Sequence, residues 1–233
     1  WVRPEGGHDR SKMILYCHGG GYTSGTLGYA RLLASRMALA TGYEVLAFQY
    51  RLAPEHTYPE ALEDARLIWE YLMFLGWGAR EIILAGDSAG GNLALELALN
   101  LRNAQRMLPS RLILFSPWTD MTATADSYTE CADKDPLLTR EYIEAVREAY
   151  APGADWHEAC YSPLFADLRG LPPTLIQVGG REILRDDSTR LYQKLQEAQV
   201  PAVLQTWPPM WHVFQMFPLE AAGGAKGEME QVL

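Results

Sequence analysis

Apolar residues along this chain fall into short continuous runs, separated by longer stretches in which they recur every three or four positions. The runs KMILYCH (Lys12 to His18), YEVLAFQY (Tyr43 to Tyr50), EIILAG (Glu81 to Gly86), RLILFS (Arg111 to Ser116), PTLIQV (Pro173 to Val178) and AVLQTW (Ala202 to Trp207) predict strands. They are continuous rather than alternating, as strands covered on both faces are. The intervening periodicity predicts helices over 27–41, 59–75, 89–106 and 187–198, with a last one from 218. Pro59 suits a helix start, where its missing N–H costs nothing. Strands alternating with helices imply an α/β domain: a mostly parallel central sheet with helices on both faces. Right-handed crossovers then bring the strand C-termini to one edge, where ligands bind.

One segment departs from this rhythm. Thr119 to Pro172 is far longer than the usual connection of roughly 2–6 residues plus one helix. It contains a short helical pattern, TREYIEAVREAY (Thr139 to Tyr150). Residues 119–172 are therefore expected to form a cap inserted over the ligand edge of a domain made of 1–118 and 173–233.

Composition narrows the function classes. The net charge of -9 argues against nucleic acid, whose binding relies on Lys and Arg neutralising phosphate. No window reaches the roughly 18 apolar residues of a membrane span. Cys17, Cys131 and Cys160 are an odd number without CxxC spacing, so neither a disulfide framework nor a zinc site is expected. A reducing, cytoplasmic compartment is the simplest expectation. The chain does not begin with Met, which leaves a removed leader open.

The chemistry concentrates at the strand ends. GDSAGGN (Gly86 to Asn92) follows one strand and opens a helix, matching G-x-S-x-G around Ser88. The glycines allow the sharp turn that pushes a serine oxygen clear of a sheet, and the helix start offers free N–H groups to negative charge. HGGGY (His18 to Tyr22) follows the first strand. Its glycines let backbone N–H groups approach an oxyanion, and a Cβ there is expected to intrude where a substrate carbonyl sits. A serine nucleophile needs a base. His8 lies near the start, His56 in a loop, His157 in the insertion, and His18 is suited to bracing the glycines. His212, in PPMWHVFQ just past the last strand, is the expected base. The order nucleophile, acid, histidine then places an acid after the penultimate strand, where Glu182, Asp186 and Asp187 lie.

These segments resemble the hormone-sensitive-lipase-like (bacterial family IV) carboxylesterases of the α/β-hydrolase superfamily. HGGGY, YRLAPEHTYP, GDSAGGN, SPWTD, YSPL and WHVF carry the resemblance over nearly the whole chain. It implies the α/β-hydrolase fold with a partial helical cap, hydrolysis of short- to medium-chain esters through an acyl-enzyme, and no cofactor or metal. By motif position, Gly20, Gly21 and Ala89 are expected to form the oxyanion hole, with Gly19 nearby. Tyr22, Trp118, Trp211 and Phe214 are candidates for lining the substrate pocket, or for core. The resemblance also implies a homodimer paired through the last strand. Amide-directed hydrolases share the scaffold, and a class of hormone receptors resembles it but lacks the histidine. Family members carry additional strands and cap helices ahead of the HGGG strand, so an N-terminal part is expected to be missing here.

The resemblance also bears on the acids. The family places an Asp where this chain has Glu182, which sits in the loop just past the strand. Glu182 is therefore the expected triad acid. Asp186 and Asp187 begin a helical pattern, and acids in a first turn cap free N–H groups and favour the positive end of the helix dipole. They are expected to be helix-end residues worth roughly 0.5–1 kcal/mol each.

Overall fold

The computed structural model describes residues 1–218 and Gly224. Six strands form one parallel sheet: β1 (Asp9–Cys17), β2 (Tyr43–Ala47), β3 (Ile82–Asp87), β4 (Arg111–Phe115), β5 (Thr174–Gly179) and β6 (Ala202–Trp207), in the order β2-β1-β3-β4-β5-β6. All six match the predicted runs. The longer helices are α1 (Leu27–Thr41), α2 (Glu60–Phe74), α3 (Ala89–Asn103), α5 (Arg140–Tyr150) and α6 (Arg185–Glu197), with a single turn α4 (Ser127–Glu130) before α5. The helix expected from 218 lies outside the described residues, apart from Pro218 and Gly224.

Period-two alternation divides each central strand between two cores. Met13, Leu15, Ile82, Leu84, Leu112 and Leu114 face the side packed by α2, α3 and α6. Ile14, Tyr16, Ile83, Ala85, Ile113 and Phe115 face the side packed by α1. Both faces are dry, which is why the strands read as unbroken apolar runs.

The strand order reverses beside β1. The chain steps outward from β1 to β2, then returns to lay β3 on the other side of β1. At this switch point the loops leaving β1 and β3 diverge and leave a crevice between them. HGGG leaves β1 and the Ser88 turn leaves β3, with Cys17 and Gly86 as register partners. Two sequence-distant glycine motifs thus become neighbours.

The segment between β4 and β5 packs against this edge. Its helix α5 buries Ile143, Val146 and Tyr150, and Tyr150 stacks on Tyr22 at 3.8 Å between ring centroids. Arg147 donates to the Met121 and Thr122 carbonyls at 2.6 and 3.0 Å.

Candidate active site

Ser88 sits between β3 and α3 at φ 53° and ψ -122°. A serine in that region stores roughly 1–3 kcal/mol of strain, so the surroundings must impose it. They do so through backbone contact. A Cβ on Gly86 would overlap the Gly90 carbonyl, and one on Gly90 would overlap the Cys17 and His18 carbonyls. Gly91 is pressed against Pro117 in the same way. The glycines therefore let α3 start in contact with β1 and β3, leaving Ser88 little room for another conformation.

Asp87 joins this turn to the glycine loop. Its carboxylate is fully buried and accepts from the Gly19 N–H at 2.8 Å, from the Tyr29 hydroxyl at 2.7 Å and from the Tyr16 hydroxyl. Burial raises its pKa, and the three donors act against that shift. Gly19 is thus committed to Asp87. By contrast, Gly20, Gly21 and Ala89 donate their N–H groups to no acceptor among the described residues.

The loop glycines also have a packing reason. A Cβ on Gly20, at φ 116°, would overlap the Ser24 carbonyl, and one on Gly21 would crowd Val146 and Tyr142 of α5. Contacts within the loop and with α5 therefore exclude side chains there. His18 braces the loop as expected: its Nδ1–H donates to the Gly19 carbonyl at 2.7 Å and its ring stacks on Tyr50.

His212 and Ser88 line one cavity of about 170 Å³, together with Gly20, Gly21, Tyr29, Trp118, Leu137, Leu138, Tyr142 and Ile143. The other histidines lie elsewhere. His8 is beside Glu44, His56 beside Glu60 and His157 beside Asp155. Behind His212, Nδ1 stands 3.5 Å from Glu182 Oε2, an ion-pair separation slightly long for a hydrogen bond. Burial lowers the His212 pKa, but Glu182, helped by Asp135 and Asp87, opposes it, and the net shift is upward. Burial likewise raises Glu182, against the pull of His212 and Ser116.

Ser116 was not singled out as a site residue by the sequence. Its buried hydroxyl donates to Glu182 Oε2 at 2.8 Å and accepts from the Val213 N–H at 3.1 Å. One side chain at the end of β4 thus holds both the acid loop and the histidine loop. The only trace in sequence is its place in SPWTD.

The pocket candidates divide. Trp118 lines the cavity. Tyr22 does not: it is core, donating to Asn92 Oδ1 at 2.7 Å and stacking on Tyr150. Phe214 is buried against Trp207, and Trp211 packs on Phe217 outside the cavity lining. Among the described residues no cluster of three or more His, Cys, Asp or Glu is placed to hold a metal, and no helix is long and apolar enough to cross a membrane.

Asp186 and Asp187 correct the sequence reading. Both lie in the first turn of α6, yet neither caps it. Asp187 is fully buried and its Oδ1 accepts from the backbone N–H of Thr119 at 2.7 Å and of Asp120 at 2.8 Å. Asp186 accepts from the Ser127 N–H at 2.9 Å. They anchor the long β4–β5 segment to α6.

A model of the alpha/beta hydrolase fold matches residues 14–216. The chain is 41% identical over 212 residues to an esterase of Acinetobacter venetianus, covering 89% of this chain and 69% of the relative. It is 38% identical to an acetyl-hydrolase of Streptomyces hygroscopicus, covering 93% and 72%. An esterase from the bacterial hormone-sensitive lipase family superposes with a TM-score of 0.94 at 38% identity, covering 97% of this chain and 77% of that one.

The anchoring by Asp187 gives a stability prediction. Asp187→Ala leaves two buried N–H groups without acceptors and should lower unfolding stability by about 2–4 kcal/mol, well above a first-turn charge effect. Urea unfolding of the variant checks this; a loss below about 1 kcal/mol would return Asp187 to a helix-end role.

Proposed function

The chain belongs to the hormone-sensitive-lipase-like esterases of the alpha/beta hydrolase fold, and from that premise we propose that it hydrolyses carboxylic esters through a Ser88–His212–Glu182 triad. The observation that carries this reading is the shared cavity: Ser88 and His212 line it together, with Glu182 directly behind the imidazole. Ser88 attacks the ester carbonyl while His212 takes its proton and returns it to the leaving alcohol. Glu182 holds the imidazole tautomer and stabilises the imidazolium. The free N–H groups of Gly20, Gly21 and Ala89 receive the developing oxyanion. Water, activated by His212, then releases the acid from the acyl-enzyme. The chemistry calls on no cofactor.

Residues 119–172 serve in this reading as a partial cap. Leu137, Leu138, Tyr142 and Ile143 from that segment close the cavity over Ser88. A volume of about 170 Å³ suits the short end of the short- to medium-chain acyl range. The acetyl-hydrolase named among the relatives is consistent with that size.

β6 is the outermost strand beside β5, with Val203 42% exposed. Among the described residues its outer edge is unpaired and so is a template for a second copy, and we place a homodimer there. Light scattering at micromolar concentration should give twice the chain mass; a monomeric mass would refute the pairing.

The triad makes paired kinetic predictions. Ser88→Ala should lower ester turnover by roughly 10⁴–10⁶-fold with the fold intact. Glu182→Gln should lower it by up to about 10⁴-fold. The pH profile adds a signed test. His212 must be neutral to act, and its pKa is raised, so the acid limb of kcat/KM should lie above the ordinary histidine range near 6.5. Without the Glu182 charge, burial is opposed only by the more distant Asp135 and Asp87, so the residual limb in Glu182→Gln should move to lower pH. Ser116→Ala, which loosens the acid without removing it, should reduce turnover less than Glu182→Gln. A limb that stays in place in Glu182→Gln would dissociate Glu182 from His212.

A further inference from the structure

Two turns along α3 from Ser88, a carboxyl group is buried with no partner. Asn92, Glu96 and Asn100 follow Ser88 at four-residue intervals, so they share one helix face. Asn92 is fully engaged, donating to the Trp118 and Tyr161 carbonyls and accepting from Tyr22. Glu96 is only 7% exposed, makes no hydrogen bond or ion pair among the described residues, and leaves Oε1 unsatisfied. Every other buried carboxylate of this protein discussed above has donors aimed at it. An unpaired buried carboxyl destabilises the chain that carries it, so its retention needs a reason.

Glu96 borders a cavity of about 520 Å³ that shares no lining residue with the Ser88 cavity. Leu62, Leu99 and Ala166 give it apolar wall, and Tyr58, Asn100 and Cys160 give it polar wall. Its size lies within the roughly 300–1,000 Å³ typical of small-molecule sites. Its one cation among the described residues, Arg102, is already engaged: its guanidinium donates to the Asp167 and Arg169 carbonyls and to Asn103 Oδ1. Burial raises the Glu96 pKa and nothing charged offsets it. Glu96 is thus left without a positive partner among the residues lining the site.

We propose that this cavity is a second ligand site, for a small molecule bearing a protonated amine, whose ammonium is received by Glu96 and whose short apolar chain lies along Leu62 and Leu99. An ammonium supplies the missing donors and compensates the carboxylate charge. A carboxylate ligand would meet the acid with like charge, and a plain alcohol would bring only one weak donor.

Isothermal titration of the full chain at neutral pH with butylammonium, butan-1-ol and butyrate tests the site. One saturable site for butylammonium is expected, with none for butyrate and weaker binding of the alcohol. Glu96→Gln should weaken butylammonium by at least about tenfold, while Ser88→Ala leaves it unchanged because the two cavities are separate. Should Glu96→Gln fail to fold, Cys160→Phe, which adds a ring to the cavity lining and keeps the acid, should abolish binding. Absence of saturable butylammonium binding, equal affinity in Glu96→Gln, or its loss in Ser88→Ala would each overturn the assignment. These readouts do not depend on ester turnover, so the site and the triad fail separately.

Discussion

The fold of this chain depends on one close approach, the start of α3 against the ends of β1 and β3. Gly86 and Gly90 make it possible, because at either position a single methyl group would meet backbone carbonyls. Once the helix starts there, Ser88 is left at positive φ. The N–H of Ala89 is left unpaired at a helix start, and Asp87 is left under the loop that follows β1. The strain at Ser88 is thus a consequence of packing helix on sheet at the switch point. The same contact that supports the core also sets the geometry of the candidate site.

Buried carboxylates then hold the loops in place, and their donors determine what each one does. Asp87 takes two phenols and the Gly19 N–H, and so fastens the glycine loop to the Ser88 turn. Asp187 takes two backbone N–H groups and fastens the insertion to α6. Glu182 takes one hydroxyl and faces one imidazole, so its charge is only partly satisfied by fixed donors. That incomplete satisfaction suits a group proposed to stabilise an imidazolium that forms and disappears in each turnover. Glu96 takes nothing, which sets it apart from the other three.

The sheet was legible in sequence because strands buried on both faces leave an unbroken apolar signal, and the helices because each starts or stops on a local cue. Ser88, Glu182 and His212 could be singled out as candidates because each lies within a few residues of a strand end on the same edge, and Glu182 because the family resemblance picks it from three nearby acids. The second tier was not. Ser116 matters because β4, the acid loop and the histidine loop meet in space, and no local pattern encodes that meeting. Asp186 and Asp187 were misread because their position in a first helical turn offered a sufficient local explanation. Their partners, Thr119, Asp120 and Ser127, lie roughly sixty to seventy positions away in the chain. Tyr22, adjacent to the glycine loop in sequence, turns inward because Asn92 and Tyr150 offer it a bond and a stacking face.

The central claim is that Ser88 is the group that becomes acylated. Intact-mass spectrometry of the chain after exposure to a fluorophosphonate ester, with peptide mapping of the product, tests it most directly. The account predicts a single added phosphonyl group on the peptide containing Ser88, formed rapidly and slowed when a short-chain ester is present in competing excess. An unmodified chain, or a phosphonyl group carried by another residue while Ser88 stays free, would contradict it.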